Sequence, residues 1–208
     1  MSADLVLYDV EDAVATITLN RPELANAQNM PMLDDLDAAW TRAERDPEVR
    51  VIVLRGNGKH FSSGHDIDPR TWNTRDPEQK WLVSMGIGGV EYHGHTWELG
   101  ARLAKEILFT GRPIDAEEAH RVGMVNRVVP RDDLESATRQ LAVEIAAKHP
   151  FALRMAKRAV NQTLDIQGFT AAVRAVFDIH QLGHAHAISE CGVPVLIALD
   201  GMKKQVSG

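Results

Sequence analysis

The sequence predicts an α/β protein whose N-terminal region mixes strands and helices and whose C-terminal region is helical. Two apolar runs, 5–8 and 13–19, flank the acidic pair Glu11 and Asp12 and predict a hairpin. A third run, 51–54, is apolar at every position and predicts another strand. Beyond residue 131, apolar residues recur at helical spacing.

Composition and charge exclude several classes of protein. The 208 residues suffice for one substantial domain, and the net charge of −6 argues against a nucleic-acid-binding surface. No apolar run is long enough to span a membrane, and the N-terminus lacks the basic flank and apolar core of a signal peptide. The single Cys191 rules out an intrachain disulfide and fits a reducing compartment, so we expect a cytoplasmic protein.

The first helix and the turn after the third strand carry the clearest local signals. Asn29 followed by Pro31 predicts a capped helix over 31–45, with Leu33, Leu36 and Trp40 on one face. Small residues at 62–64 then lead to Asp66, where a helix can begin. A strand, a tight turn and a helix start leave backbone N–H groups that can hold an oxyanion. On geometry alone, an ordinary strand-to-helix connection remains the alternative.

The C-terminal half predicts helices with one strand among them. Gly111 ends a helix with Leu99, Leu103 and Ile107 on one face, and Asp115 caps a short helix. Residues 125–129 predict a strand. Three further helices are expected over 132–148, with Leu134, Leu141 and Ile145 inward, and over 151–163 and 169–182.

Four segments in order resemble the enoyl-CoA hydratase/isomerase (crotonase) family. They are 17–27, 49–67, 108–130 and 152–161. The resemblance implies a crotonase-like ββα spiral core over 1–130 and a helical C-terminal region over 131–208 that mediates oligomerisation, as a homotrimer or a dimer of trimers.

The resemblance also implies chemistry on acyl-CoA thioesters. The expected reaction is the addition of water to a 2-enoyl-CoA through a stabilised thioester enolate, with no cofactor beyond the CoA thioester substrate. Double-bond isomerisation, thioester hydrolysis and a non-catalytic CoA-binding role remain alternatives, since one fold supports many reactions. We expect no nucleic-acid or membrane partner.

Carried onto this sequence, the family pattern assigns the first oxyanion donor to the backbone N–H of His65. The residues expected to contact CoA are Ala27, Ser63, Gly64, Asp66 and Ile67. As a candidate for proton transfer Asp66 is weaker, because we favour a role in which it fixes its turn or starts a helix. Lys59 and Arg21 are candidate phosphate neighbours, although solvation at the surface is the expectation we favour for both.

The sequence departs from the family between the polar stretch 68–80 and the glycine-rich loop 85–90. A strand, a Gly-Gly-Gly turn and a helix, which supply the second oxyanion N–H and one catalytic glutamate, have no counterpart, so a central segment is absent near 82–85. Residues 82–84 also lack the second family glutamate. Glu91 is the substitute candidate, with surface charge as its alternative, and Glu98 fits the charge expected at a helix N-terminus.

Two explanations of the absent segment remain open. The protein is an internally shortened relative, or the 208 residues join two parts of a longer chain. We favour the second, because removing a turn of the spiral would expose the apolar faces of its neighbours.

Histidine spacing raises the question of a metal site. His180 and His184 lie four residues apart, and His93 and His95 form a second pair. Neither pair has the glutamate of a zinc-protease motif or a cysteine pattern, so we expect no metal site.

Overall fold

The computed structural model describes residues 4–66 and 93–191. The chain divides into two compact units, of which the first contains residues 4–66 and 130–158 and the second contains 93–129 and 159–191. The stretch 68–80, the glycine-rich loop 85–90 and the C-terminal tail lie outside the described residues. The predicted division at residue 130 stays a prediction.

Nine strands and helices account for the regular structure of the described residues. The strands are β1 (Val6–Glu11), β2 (Val14–Leu19) and β3 (Val51–Gly56). The helices are α1 (Met30–Arg45), α2 (His95–Thr110), α3 (Ala116–Arg121), α4 (Leu134–Ala146), α5 (Pro150–Ile166) and α6 (Phe169–Cys191).

The first unit is built on a three-stranded sheet in the order β1-β2-β3. β1 and β2 form the expected antiparallel hairpin, closed by Asp12 and Ala13 with φ of 52° and 63°. Two positive φ values in a two-residue loop match the twist of paired strands. β3 runs parallel to β2, with Val51 opposite Val14.

Helix α1 packs on β1 and β2 and begins as predicted. The Asn29 side chain accepts a hydrogen bond from the backbone N–H of Met32 at 3.0 Å. The most deeply buried residues are Met32, Ala39 and Ala43, whereas Leu33, Leu36 and Trp40 are half-buried. The buried face of α1 is therefore adjacent to the predicted face. Its small alanines allow the helix to approach the sheet closely.

Helix α4 covers β2 and β3, and its alanines form a core with Val14. Ala142 and Ala146 are buried in this cluster, and the Arg50 guanidinium donates to the Ala146 carbonyl at 2.9 Å. The expectation that Leu134 points inward is wrong, because its side chain is 55% exposed. Leu134 is the first residue of the helix, after a 3₁₀ turn over Arg131–Asp133.

Strand β3 lies at the edge of the sheet of the described residues, although its sequence is typical of a strand buried on both faces. All six of its residues are only half-buried. Within the described part of the chain, β3 pairs with β2 alone.

In the second unit, α2 bends at Gly100, whose φ of 73° and ψ of 152° are not helical. The helix ends as predicted at Gly111, which has a φ of 66°. The Trp97 ring packs edge-on against Phe169 with ring centroids 5.1 Å apart. The predicted cap of α3 is confirmed: the Asp115 side chain accepts from the Glu118 N–H at 2.7 Å.

The strand predicted over 125–129 is wrong, because the segment is irregular. The N–H groups of Met124 and Val125 donate to the Ala119 carbonyl at 2.8 and 3.3 Å. The Val125 carbonyl in turn lies 3.2 Å from the His120 ring. A strand needs a partner for its backbone groups, and here those of Val125 bond back onto the end of α3.

Helices α5 and α6 are both longer than predicted, and the boundary between the two units falls within α5. Gly168, with a φ of 89°, lies in the short connection between them. None of the described helices combines the length and the apolar character that crossing a membrane requires.

Candidate active site

Two glycines allow the chain to turn tightly at the end of β3. A Cβ at Gly56 would collide with the backbone carbonyl of Phe61. Gly58 has a φ of 80°, and a Cβ there would lie 2.6 Å from the Pro22 Cβ. The turn after β3 is therefore packed directly against the segment after β2.

Asn26 lies at the centre of this contact and is fully buried. Its side-chain Oδ1 accepts from the Arg21 N–H at 2.8 Å. Its Nδ2 lies within hydrogen-bond distance of three carbonyl oxygens, those of Asn57, His60 and Phe61, at 2.9, 2.9 and 3.0 Å. One side-chain amide thus joins the segment after β2 to the turn after β3.

Ser62 and Ser63 make further contacts between the two segments, next to the predicted oxyanion donor, the His65 N–H. The Ser62 hydroxyl donates to the Asn26 carbonyl at 2.9 Å and accepts from the Gly64 N–H at 3.1 Å. The Ser63 N–H donates to the Ala25 carbonyl at 2.9 Å.

Gln28 and His65 form a parallel β-bridge that orients the backbone of His65. The Gln28 N–H donates to the Gly64 carbonyl and the Asp66 N–H donates to the Gln28 carbonyl, both at 2.8 Å. In parallel pairing, the residue between two such bonds directs its own N–H and C=O away from the partner segment. The His65 N–H is therefore directed away from Gln28, on an exposed part of the turn.

Gly64 gives this turn its direction. Its φ is 88°, a conformation that favours glycine, and a Cβ at this position would meet no atom within 4 Å. Glycine is needed here for its backbone conformation, and open space lies beside it.

Arg21 is buried, so the expected surface position is wrong. The residue is 8% exposed, and its Nη1 donates to an Asp66 carboxylate oxygen at 2.6 Å and to the Ala27 carbonyl at 3.0 Å. The Asp66 side chain is itself only 7% exposed. Sequence reasoning missed this pair because its members lie 45 positions apart. Their presence in two of the four resembling segments is the signal that could have found it.

Five of the predicted site residues are brought together on these two adjoining segments: Ala27, Ser63, Gly64, His65 and Asp66. Ile67 and Glu91 lie outside the described residues. Glu98 is exposed in the first turn of α2. Within residues 4–66 and 93–191, no group of three or more His, Cys, Asp or Glu side chains is arranged to hold a metal ion.

A groove of about 350 Å³ lies between the sheet, residues 56–61 and the start of α4. Two of its arginines have partners: Arg55 pairs with Glu135 at 2.8 Å, and Arg131 donates to the Lys59 carbonyl at 2.9 Å. Lys59, a candidate phosphate neighbour, lines this groove, whereas Ala27, Ser63, Gly64 and Asp66 do not.

The resolved pKa shifts of the described residues lie in the second unit. Burial lowers the pKa of His95, and the neighbouring His93, whose ring centroid is 5.5 Å away, adds to that effect. Arg112 donates to both Glu118 and Glu106 at 2.8 Å. The hydrogen bond from Arg112 lowers the pKa of Glu118, and the same contacts raise the pKa of Arg112.

Comparison with known proteins identifies the family. The model of the enoyl-CoA hydratase/isomerase family matches residues 9–85 and 83–194. The chain belongs to the enoyl-CoA hydratase/isomerase family. Its structural neighbours have the crotonase fold, which confirms the predicted fold class.

Two solved structures are similar to this chain at 52% sequence identity. A probable enoyl-CoA hydratase from Mycobacterium thermoresistibile has a TM-score of 0.79 over 89% of this chain and 98% of that one. A second, from Mycobacterium smegmatis, has a TM-score of 0.82 over 92% and 98%. Among curated proteins, "Putative enoyl-CoA hydratase EchA13" of Mycobacterium tuberculosis is 34% identical, covering 88% of this chain and 81% of the relative.

The family match has an interruption in the middle of the chain. Its two segments meet at residues 83–85, and the alignment with the Mycobacterium tuberculosis relative extends over 259 positions, more than the 208 residues of this chain. The segment predicted to be absent near 82–85 falls at the same place, outside the described residues.

Proposed function

We propose that this protein is an enoyl-CoA hydratase that adds water to a 2-enoyl-CoA. The observation that carries the proposal is the bridge between Gln28 and His65, which directs the His65 N–H away from the paired segment. A backbone N–H held in this way can polarise a thioester carbonyl and stabilise the enolate that forms. Family membership supplies the substrate class, an acyl-CoA.

The family resemblance suggests roles for the neighbouring residues. The pantetheine and adenine end of CoA would lie along the backbone of Ala27, Ser63 and Gly64, with Ile67 beyond them. Gly64 supports this placement because the space beside its α-carbon is open. Glu91 remains the candidate for carboxylate-assisted proton transfer. No cofactor beyond the substrate is proposed.

An assay of crotonyl-CoA hydration, monitored as the loss of enoyl thioester absorbance, tests the function. Calorimetric titration with CoA measures binding separately. Turnover together with CoA binding supports the hydratase. CoA binding without turnover of crotonyl-CoA or of a 3-enoyl-CoA isomer would contradict the hydratase function. That result would favour a second candidate, a non-catalytic CoA-binding paralogue. The interruption of the family match at residues 83–85 supports this candidate.

We also propose that the protein assembles as a homotrimer or a dimer of trimers in the cytoplasm. Helices α5 and α6 support the assembly, because large apolar side chains on them are exposed: Ile166 is 80%, Leu182 69% and Ile179 64% exposed. Apolar surface of this kind is typical of a subunit interface. Light scattering should give three or six times the mass of one chain. A mass of one chain would contradict the assembly.

A further inference from the structure

The buried pair Arg21 and Asp66 lies next to the predicted donor, the His65 N–H. Asp66 follows His65 in the chain, and its carboxylate accepts from the Arg21 guanidinium at 2.6 Å. The same nitrogen of Arg21 donates to the Ala27 carbonyl at 3.0 Å. One guanidinium therefore contacts both segments of the bridge that orients His65.

The burial of the two side chains suits them to orient the backbone and not to contact a ligand. Both are at least nine-tenths buried, 10% exposed for Arg21 and 7% for Asp66. A carboxylate turned inward onto an arginine is unavailable to the phosphates or the pantetheine of CoA. Charge-assisted hydrogen bonds of this kind are short and directional, so they fix the residue that carries them.

We infer that Arg21 and Asp66 are positioning residues that hold the His65 N–H at the angle and distance needed to polarise the thioester carbonyl. This inference rests on the proposed function. An oxyanion donor acts only within about 2.7–3.1 Å of the developing charge. A misplacement of about 1 Å costs on the order of 100-fold in rate. Loss of the pair should therefore lower kcat more than it changes KM.

Asp66→Asn is the sharpest variant, because the amide keeps the volume of the side chain and still accepts from Arg21. It should lower kcat about tenfold and leave KM within about twofold, whereas Asp66→Ala should lower kcat about 100-fold. Arg21→Lys keeps the positive charge and should restore part of the activity lost in Arg21→Ala. Glu135→Gln is the matched control, because it removes an ion pair of 2.8 Å in the same unit that is largely exposed, and it should leave kcat unchanged.

A spectroscopic measurement separates this inference from the proposed function. A conjugated enoyl-CoA absorbs at longer wavelength when its carbonyl is polarised, so the wild-type complex should show a shift that Asp66→Asn reduces. No shift in the wild-type complex would contradict the donor itself, and with it the proposed function. A full shift and a full kcat in both Asp66→Asn and Arg21→Lys would overturn the positioning role alone. A raised KM with unchanged kcat would make Asp66 a CoA-binding residue instead.

Discussion

Gln28 and His65 form a parallel β-bridge that ties the segment after β2 to the turn after β3. The bridge is short, with one bond on each side of His65, yet it determines which way the His65 N–H is directed. The side chains of Asn26, Ser62 and Arg21 reinforce it from neighbouring positions. The candidate donor is thus held by contacts between two distant parts of the sequence.

The side-chain amide of Asn26 should be among the most sensitive positions for stability. Asn26→Asp replaces a buried donor to three carbonyl oxygens by a carboxylate that repels them. We expect a loss of about 3 kcal/mol or more in the free energy of unfolding, measured by urea denaturation. Asn161→Asp, on an exposed position of α5, is the control and should change it by less than about 0.5 kcal/mol. Equal effects of the two substitutions would contradict the role of Asn26.

Two glycines of the turn should differ in their tolerance of alanine. Gly64→Ala forces a positive φ on a residue with a Cβ but meets open space, so it should cost about 1–2 kcal/mol. Gly58→Ala adds a collision with Pro22 to the same strain and should cost more. Urea midpoints of the two variants measure the difference, and a Gly64→Ala variant less stable than Gly58→Ala would show that the packing against Pro22 is wrong.

The ion pair between Arg112 and Glu118 should make stability depend on acidic pH. The hydrogen bond from Arg112 lowers the pKa of Glu118 below the ordinary value of about 4.5 for a glutamate. The folded state therefore binds this proton more weakly than the unfolded state, so the stabilisation is complete above pH 4.5 and is lost as the pH falls through the folded pKa. Thermal melting between pH 6 and pH 3 should show a smaller decline for Glu118→Gln than for the wild type. If the melting temperatures of both proteins fall equally with pH, the ion pair does not contribute to the pH dependence of stability.

The length of the natural chain decides between the two explanations of the segment predicted to be absent near 82–85. Removing a turn of the spiral would expose the apolar faces of its neighbours, so we expect a longer chain and not a shortened relative. The protein isolated from its own cells should then have an intact mass above 23.0 kDa. A mass of 23.0 kDa would establish the shortened form.

The sequence predicted the helix ends that depend on contacts between residues close together in the chain. Asn29 and Asp115 cap their helices as expected, and Gly111 ends α2, because each acts through a contact a few residues away. The strand predicted over 125–129 failed for the opposite reason, since an apolar run becomes a strand only where a partner segment lies beside it.

The site was predicted in part. The resemblance placed His65 and Gly64 in one turn, and the structure shows the backbone bonds that orient them. The burial of Arg21 could not be predicted from its neighbours, because its partner Asp66 is distant in sequence. A bend at Gly100 was likewise unforeseen, because the helical spacing of apolar residues continues through it.

Comparing His65→Pro with His65→Ala tests whether the backbone N–H of His65 is the oxyanion donor. Proline removes the backbone N–H, whereas alanine keeps it and removes only the imidazole, and neither substitution deletes a donor or acceptor of the two bonds that Gly64 and Asp66 make with Gln28. With folding checked by circular dichroism and CoA binding by calorimetry, crotonyl-CoA turnover should fall about 100- to 1000-fold in the proline variant. It should stay within about threefold of the wild type in the alanine variant. Full turnover in a folded His65→Pro protein would contradict the assignment of the His65 N–H as the oxyanion donor.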